Sequence, residues 1–131
     1  MSSVLDASAV IAIIRNEPGS DTVKAELRGS LISSVNLSEV FYKTWNKGAS
    51  REVVQWAIKN LPLTSVPFDD EHAAISASIH DATLKKDISF ADRACLALAL
   101  SRELPVITSD RKWQDLEIGV EVRLFRDAKA A

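Results

Sequence analysis

Two kinds of apolar segment alternate along the chain, and this alternation limits the possible folds more than any other feature. Short segments such as Val4-Leu5 and Leu31-Ile32 predict strands, and longer stretches with helical spacing of apolar residues lie between them. Further strands are predicted at Thr64–Val66, Leu104–Thr108 and Glu121–Leu124. Strands that alternate with helices form parallel sheets with right-handed crossovers and helices on both faces. The predicted fold class is therefore α/β, a three-layer α/β/α domain with a parallel sheet of about five short strands.

Capping residues predict where several helices begin. Asn36 and Glu39 have the spacing of a capping box, and Ser50 precedes a one-sided apolar stripe. Asp70 is the predicted cap of a single helix that runs through Ile79 to Ala82 and contains both histidines. The two histidines are eight residues apart and do not have the spacing of a zinc site, so they are interpreted as ordinary helix residues.

The most apolar segment is predicted to be a helix from Ser89 to Leu100 that runs through the core. Alanine and leucine dominate it, and no β-branched residue interrupts it. Ser89 can cap its amino end, and Asp92 then occupies the third helical position, where the helix dipole favours an anion. The only cysteine, Cys95, is expected to be a buried apolar residue.

Length and composition predict one domain, residues 1–131. A chain of 131 residues with 47% hydrophobic content suits one compact core. Its longest apolar run, Ala94–Leu100, is far shorter than a membrane span, and no signal peptide opens the sequence. One unpaired cysteine fits a reducing compartment, so a cytoplasmic location without membrane contact is expected. The net charge of −2 excludes a uniformly basic nucleic-acid-binding surface but leaves room for a local basic patch.

Four acidic residues follow predicted strands or open the helices after them: Asp6, Glu39, Asp92 and Asp110. In a parallel sheet these positions lie at the carboxyl edge, where open α/β sheets bind ligands. Taken alone, each acid is better explained by capping or by a turn than by a functional site. Together they would repel one another by about 4 kcal/mol per contacting pair at an effective dielectric near 20, so the cluster is expected to hold a cation.

Oxygen ligands alone point to Mg²⁺ or Mn²⁺ rather than zinc. A magnesium ion held by carboxylates keeps waters and accepts phosphate oxygens, which favours hydrolysis of a phosphodiester. Ser8 and Thr108 each lie two residues from an acid and could orient a ligand or water, although helix capping and strand-end hydrogen bonds explain them nearly as well.

Four segments, in order and spacing, resemble the PIN-domain ribonucleases, and most closely the VapC-type toxins of toxin–antitoxin pairs. They are Val4–Ala9, Ser34–Val40, Ser89–Ala99 and Thr108–Trp113, and the resemblance extends to about Leu124. It implies an Mg²⁺- or Mn²⁺-dependent endoribonuclease with Asp6, Glu39, Asp92 and Asp110 around the metal. It also implies a homodimer and a cognate antitoxin. Phe90 departs from the leucine that the family often has, and Asp115 lies close enough to replace Asp110 as the last acid.

An RNA substrate requires positive charge near the acidic edge. Arg93 is adjacent to Asp92, and the other candidates follow or adjoin the acidic segments: Arg15, Lys43, Lys85, Arg111 and Lys112. Three tryptophans could stack on bases, although residues of helical faces more often pack in a core or at a dimer contact. They are Trp45, Trp56 and Trp113.

Two other functions share some of these features. A receiver-type signalling domain needs adjacent acids after the first strand and a lysine after the last, and a phosphatase with an aspartate nucleophile needs a second acid two residues after the first. Ala7 and Ser8 follow Asp6, and Val122-Arg123-Leu124 offers no lysine, so both are disfavoured. A catalytically inactive PIN-like module that binds RNA or protein stays the main alternative, because the presence of four acids does not establish turnover.

Overall fold

The computed structural model describes residues 2–126; Met1 and residues 127–131, which the predicted 1–131 domain includes, lie outside the described part. The strands are β1 (Val4–Leu5), β2 (Ser30–Ser33), β3 (Leu63–Val66), β4 (Val106–Thr108) and β5 (Val122–Leu124). The helices are α1 (Ala7–Arg15), α2 (Ser20–Ala25), α3 (Ser34–Asn46), α4 (Arg51–Lys59), α5 (Asp70–Ser78), α6 (His80–Leu84) and α7 (Phe90–Arg102). A 3₁₀ helix, Arg111–Asp115, follows β4.

The five strands form one sheet in the order β3-β2-β1-β4-β5, and every pairing is parallel. The chain first builds the sheet outward from β1 through β2 to β3, and then crosses to the other side of β1 to place β4 and β5. The register pairs Val4 with Val106 and Leu5 with Ile107. The α/β fold class predicted from the sequence is confirmed.

Successive residues of β1 and β4 are buried on opposite faces of the sheet. Val4 and Val106 pack in one apolar cluster with α7, whereas Leu5 and Ile107 pack in a second cluster with α1 and α2. Because neighbouring side chains of a strand point to opposite faces, the two clusters are the two cores of a three-layer arrangement. Cys95 is fully buried in the first cluster, as predicted.

Helix α7 begins as predicted. Ser89 is its N-cap and accepts the N–H of Asp92, while the Asp92 carboxylate accepts the N–H of Ser89, both at 3.1 Å. This reciprocal pair is a capping box. The helix ends at Arg102, and its residues from Ala94 to Ala99 are buried.

Three local predictions were wrong. Ser33, not Asn36, caps α3, so Asn36 and Glu39 both lie inside the helix. Asp69, not Asp70, caps α5. The predicted helix through Ala82 is interrupted at Ile79, which places His72 in α5 and His80 in α6. Within residues 2–126, no helix combines the length and the apolarity that crossing a membrane requires.

Gly19 allows the segment after β5 to pack against the turn between α1 and α2. A Cβ atom at this position would lie 2.5 Å from the carbonyl oxygen of Phe125. Gly48 has a similar backbone conformation, with φ of +94° against +87° at Gly19, but a Cβ there would have no heavy atom within 4 Å. Alanine substitutions at the two glycines therefore distinguish the effect of backbone strain, which both would have, from that of steric contact, which only Gly19 would have.

We expect Gly48→Ala to lower the free energy of unfolding by about 1 kcal/mol, the cost of a left-handed alanine. Gly19→Ala has the same strain and must also displace Phe125, which adds about 1–3 kcal/mol. Urea unfolding of both variants measures the difference. Equal losses would show that Phe125 does not pack tightly against Gly19.

Candidate functional site

The reversal of strand order places the ends of β1 and β4 side by side. β1 is followed by a crossover to one side of the sheet, and β4 lies on its other side. In open α/β sheets this switch point creates a crevice beyond the carboxyl ends of the strands. Asp6 directly follows β1, and Asp110 lies two residues after β4.

Asp6 is buried and held by three hydrogen bonds. Its Oδ1 accepts the Ser8 hydroxyl at 2.6 Å and the N–H of Ala9 at 3.0 Å, and its Oδ2 accepts the Thr108 hydroxyl at 2.5 Å. The Ala9 contact makes Asp6 the N-cap of α1. Thr108 Oγ1 also accepts the N–H of Asp110 at 3.0 Å. The Asp6 carboxylate is therefore connected to both flanks of the crevice by side-chain hydroxyls.

Burial raises the pKa of Asp6 from 3.8 to about 6, even though its hydrogen bonds favour the charged form. The nearby Asp92 carboxylate raises the pKa further. A neutral Cys95 lies below the site, because burial and the surrounding carboxylates raise the pKa of its thiol. Among residues 2–126, the groups that shift the pKa of Asp6 are two hydroxyls, a backbone N–H and another carboxylate, and none of them is a cation.

Asp92 and Asp110 both occupy the amino ends of helical segments. Burial raises the pKa of Asp92, and the negative charges of Glu39 and Asp110 add to the shift. Its Oδ2 makes the capping-box contact with Ser89, and Oδ1 has no hydrogen bond to the described residues. Asp110 caps the 3₁₀ helix by accepting the N–H of Lys112 at 3.0 Å. Both carboxylates therefore cap a helix and face the crevice.

Glu39 reaches the crevice from α3 and is positioned by Asn36. The Asn36 amide donates one hydrogen bond to Glu39 Oε1 and another to the carbonyl oxygen of Ala91, each 2.9 Å long. Asn36 is 1% exposed, and the contact with Ala91 connects α3 to the first turn of α7. Lys43 lies one turn further along α3, with its Nζ 3.4 Å from Glu39 Oε2. Sequence reasoning missed this role of Asn36, because it depends on a contact 55 residues away in the chain.

All four predicted acids line one pocket of about 170 Å³. The pocket is bordered by Asp6, Ala7, Ser8, Glu39, Lys43, Asp92, Ser109 and Asp110. Asp115, the alternative to Asp110, is exposed at the end of the 3₁₀ helix and is not part of this lining. Thr108 is buried behind the pocket through its bond to Asp6. The structure thus brings the four acids, Ser8 and Thr108 together.

The cations predicted to contact RNA are distributed around the pocket rather than inside it. The Lys112 ammonium lies 3.9 Å from the carboxylates of both Asp110 and Asp87. Arg15 pairs with Glu17 at 3.4 Å and lines a separate cavity beside Lys43. Arg93 follows Asp92 and lines a larger pocket on the other side of the α7 amino end. Lys43 is the predicted cation that borders the acidic pocket itself.

A second group of potential ligands lies at the start of α5. Within residues 2–126, Asp69, Glu71 and His72 are the one set of three acidic, histidine or cysteine residues whose ligand atoms approach within 4.8 Å of one another. Local hydrogen bonds explain the two acids: Asp69 accepts the N–H of His72, and Glu71 accepts the Ser101 hydroxyl. The ligand atoms of the four acids at the sheet edge are more widely spaced than those of this group. The four acids differ from it in having a buried member, Asp6, whose pKa is raised.

Comparison with solved structures finds several with a similar fold. A toxin–antitoxin complex from Klebsiella pneumoniae superposes with a TM-score of 0.77 at 16% identity, covering 95% of this chain and 98% of that chain. DNA-bound VapBC from Salmonella typhimurium gives 0.77 at 22% identity, covering 96% and 100%. FitAcB from Neisseria gonorrhoeae gives 0.70 at 22% identity, covering 93% and 96%. At these identities the likeness concerns the fold.

Sequence comparison assigns the family. No curated protein matches the chain significantly. The family model described as the PIN domain matches residues 3–119, which include both strands at the switch point and all four acids of the pocket. The chain therefore belongs to the PIN domain family.

Proposed function

We propose that the protein is a divalent-metal-dependent endoribonuclease and the VapC-type toxin of a toxin–antitoxin pair. The observation that carries the proposal is the convergence of Asp6, Glu39, Asp92 and Asp110 on one pocket at the switch point of the sheet. Nucleases are the activity that the family resemblance implies. The similarity to structures described as toxin–antitoxin complexes supports the biological role.

The residues of the pocket fit Mg²⁺ or Mn²⁺. All its candidate ligands are carboxylate oxygens, which these ions prefer, and the one cation at its border is Lys43. Burial keeps the pKa of Asp6 near 6, so ionised Asp6 gains stabilisation when positive charge enters the pocket. Asp6, Asp92 and Asp110 would hold the metal together with Glu39. A bound divalent ion supplies positive charge at the scissile phosphate and lowers the pKa of water.

The protein's own residues position the reacting groups. The Ser8 and Thr108 hydroxyls hold both oxygens of Asp6 in one orientation, and the capping box holds Asp92. Asn36 holds Glu39 against the first turn of α7. Lys43, half exposed beside Glu39, can attract the phosphate backbone of RNA at the mouth of the pocket.

The proposed partners follow from the same role. A toxin of this type requires an antitoxin that blocks the site, and the resemblance also implies a homodimer. Support comes from the descriptions of the similar structures, which are complexes of toxin with antitoxin. Co-expression with the small protein encoded by the adjacent gene, followed by co-purification, tests the first partner, and sedimentation equilibrium tests the second.

We expect the purified protein to cleave single-stranded RNA in Mg²⁺ or Mn²⁺ and to lose this activity in EDTA. Asp6→Asn should lower the cleavage rate about 100-fold or more, because it removes the buried ligand and its charge. Asp115→Asn is the matched control, since this exposed acid lies outside the pocket, and it should cleave at the wild-type rate. Cleavage that persists in EDTA contradicts the metal mechanism. RNA binding without cleavage would favour the inactive binding module.

Asp92→Asn should abolish cleavage and shift the melting temperature by only a few degrees. The asparagine carbonyl oxygen can still accept the Ser89 N–H, and the change relieves repulsion from Glu39 and Asp110. Ser89→Ala should give the opposite result: about 1 kcal/mol less stability, with most of the cleavage activity retained. Thermal unfolding and cleavage assays on both variants separate the two functions of the capping box. A large loss of stability in Asp92→Asn would assign this carboxylate to capping alone.

In the metal-free protein, the contribution of Asp6 to stability should fall as the pH rises from about 4 to about 7. Asp6 has a pKa of about 6 in the folded state and 3.8 as its ordinary value, so the folded state binds more protons in this range. The contribution lost by Asp6 is about 3 kcal/mol. Urea unfolding in EDTA should show this slope in the wild type relative to Asp6→Asn. Parallel curves for the two proteins would mean that Asp6 titrates normally.

A further inference from the structure

The first turn of α7, which carries Asp92 of the acidic pocket, also lines a second and larger pocket. This pocket has a volume of about 420 Å³, within the range of small-molecule sites, and its lining includes Phe68, Ser76, His80, Asp81, Phe90 and Arg93. Phe90 and Arg93 flank Asp92 in the sequence, so the same helical turn contributes to both pockets. A chain whose phosphate lies at the acidic site therefore has a cavity within reach of a neighbouring nucleotide.

Phe90 forms an exposed aromatic surface in this pocket. Its side chain is 52% exposed, although the residue opens the most buried helix of the protein. Phe68 packs edge to face against it, with ring centroids 5.5 Å apart and an interplanar angle of 73°. Phe68 also packs edge to face against the buried ring of His72. The orientation of the Phe90 ring is therefore fixed by packing while much of its surface stays open.

Polar groups of both signs surround the Phe90 ring. The Arg93 guanidinium lies 6.0 Å from the ring centroid, and its Nη1 donates a hydrogen bond of 3.1 Å to the carbonyl oxygen of Ile88. His80 and Asp81 also border the pocket, with 3.3 Å between His80 Nδ1 and Asp81 Oδ1, and the Asp81 carboxylate is fully exposed at its rim. A phosphate that entered the pocket would be repelled by this carboxylate. A nucleobase instead offers an amino group to Asp81, ring or carbonyl acceptors to Arg93, and a flat face to Phe90.

We propose that this pocket binds one unstacked base of the single-stranded RNA, next to the nucleotide whose phosphate enters the acidic site. The inference rests on the proposed function, because it deepens the recognition of the same substrate. Proteins that bind single strands use aromatic side chains in this way, and each stacked base strengthens binding by about tenfold or more. Phe90 is the stacking surface, and Arg93 with Asp81 reads the edge of the base.

The test measures RNA binding and cleavage separately. In an Asp6→Asn background with Mg²⁺, fluorescence anisotropy with a labelled single-stranded RNA should show Phe90→Leu binding about tenfold or more weakly, because leucine keeps the apolar contacts but loses the aromatic face. Phe90→Trp should restore binding to within about twofold. Trp56, which the sequence offered as another candidate for stacking, is 68% exposed on α4 and does not line this pocket. Trp56→Leu is therefore the matched control, and it should leave binding unchanged. With Asp6 intact, Phe90→Leu should raise KM and leave kcat close to the wild-type value.

Several results would overturn the inference. Equal binding by Phe90→Leu and Trp56→Leu would do so, as would an Asp6→Asn protein that binds no single-stranded RNA. Sedimentation equilibrium of the same variants provides another: if Phe90→Leu dissociates a dimer, the pocket is a contact between two copies of the chain. Failure of the proposed function gives a different pattern, in which no variant cleaves RNA but binding still depends on Phe90.

Discussion

The parallel pairing of β1 with β4 is the constraint on which the site depends. These strands are only two and three residues long, and their register places Leu5 opposite Ile107. The next residue of each strand is then a polar one, and Asp6 meets Thr108. Because side chains alternate between the faces, a shift of one residue would exchange the two apolar clusters and separate this pair. Apolar packing on both faces of the sheet thus fixes the strand register, and the register places the Asp6 carboxylate in a buried position. Burial of such a charged group would be unfavourable by itself.

Helix amino ends allow like charges to gather beside this pair. Asp6 caps α1, Asp110 caps the 3₁₀ helix, and Asp92 completes the capping box of α7. Each carboxylate accepts backbone N–H groups at the positive end of a helical segment, which offsets part of the mutual repulsion. Capping and metal binding were competing explanations of these acids in the sequence. In the structure the capping contacts hold the carboxylates where they converge.

The sequence was sufficient to predict what depends on local pattern and on topology. Alternating strands and helices predicted the parallel sheet, and the acids after strands predicted a common edge. Prediction from the sequence failed for Asn36. This residue has the spacing of a cap, but Ser33 is the N-cap and Asn36 lies inside α3. Its amide instead bonds Ala91, and no local spacing encodes that contact. The interruption at Ile79, where two short helices replace the predicted one, was missed as well, and nothing in the local apolar spacing marks it.

In the proposed site, one helical turn separates base recognition, through Phe90, from chemistry, through Asp92. Ser89 and Asp92, on either side of Phe90 in the sequence, form the capping box, and Ala94 to Ala99 of α7 are buried. Phe90, at the first position of this helix, lies outside both the buried core and the lining of the acidic pocket. Neither the packing of the core nor the geometry of the acids therefore requires a phenylalanine there. An exposed phenylalanine at such a position gains little stability from burial. Its packing against Phe68 fixes the ring on the helical turn that also carries Asp92, which is the arrangement that the proposed site for a base next to a reactive phosphate requires.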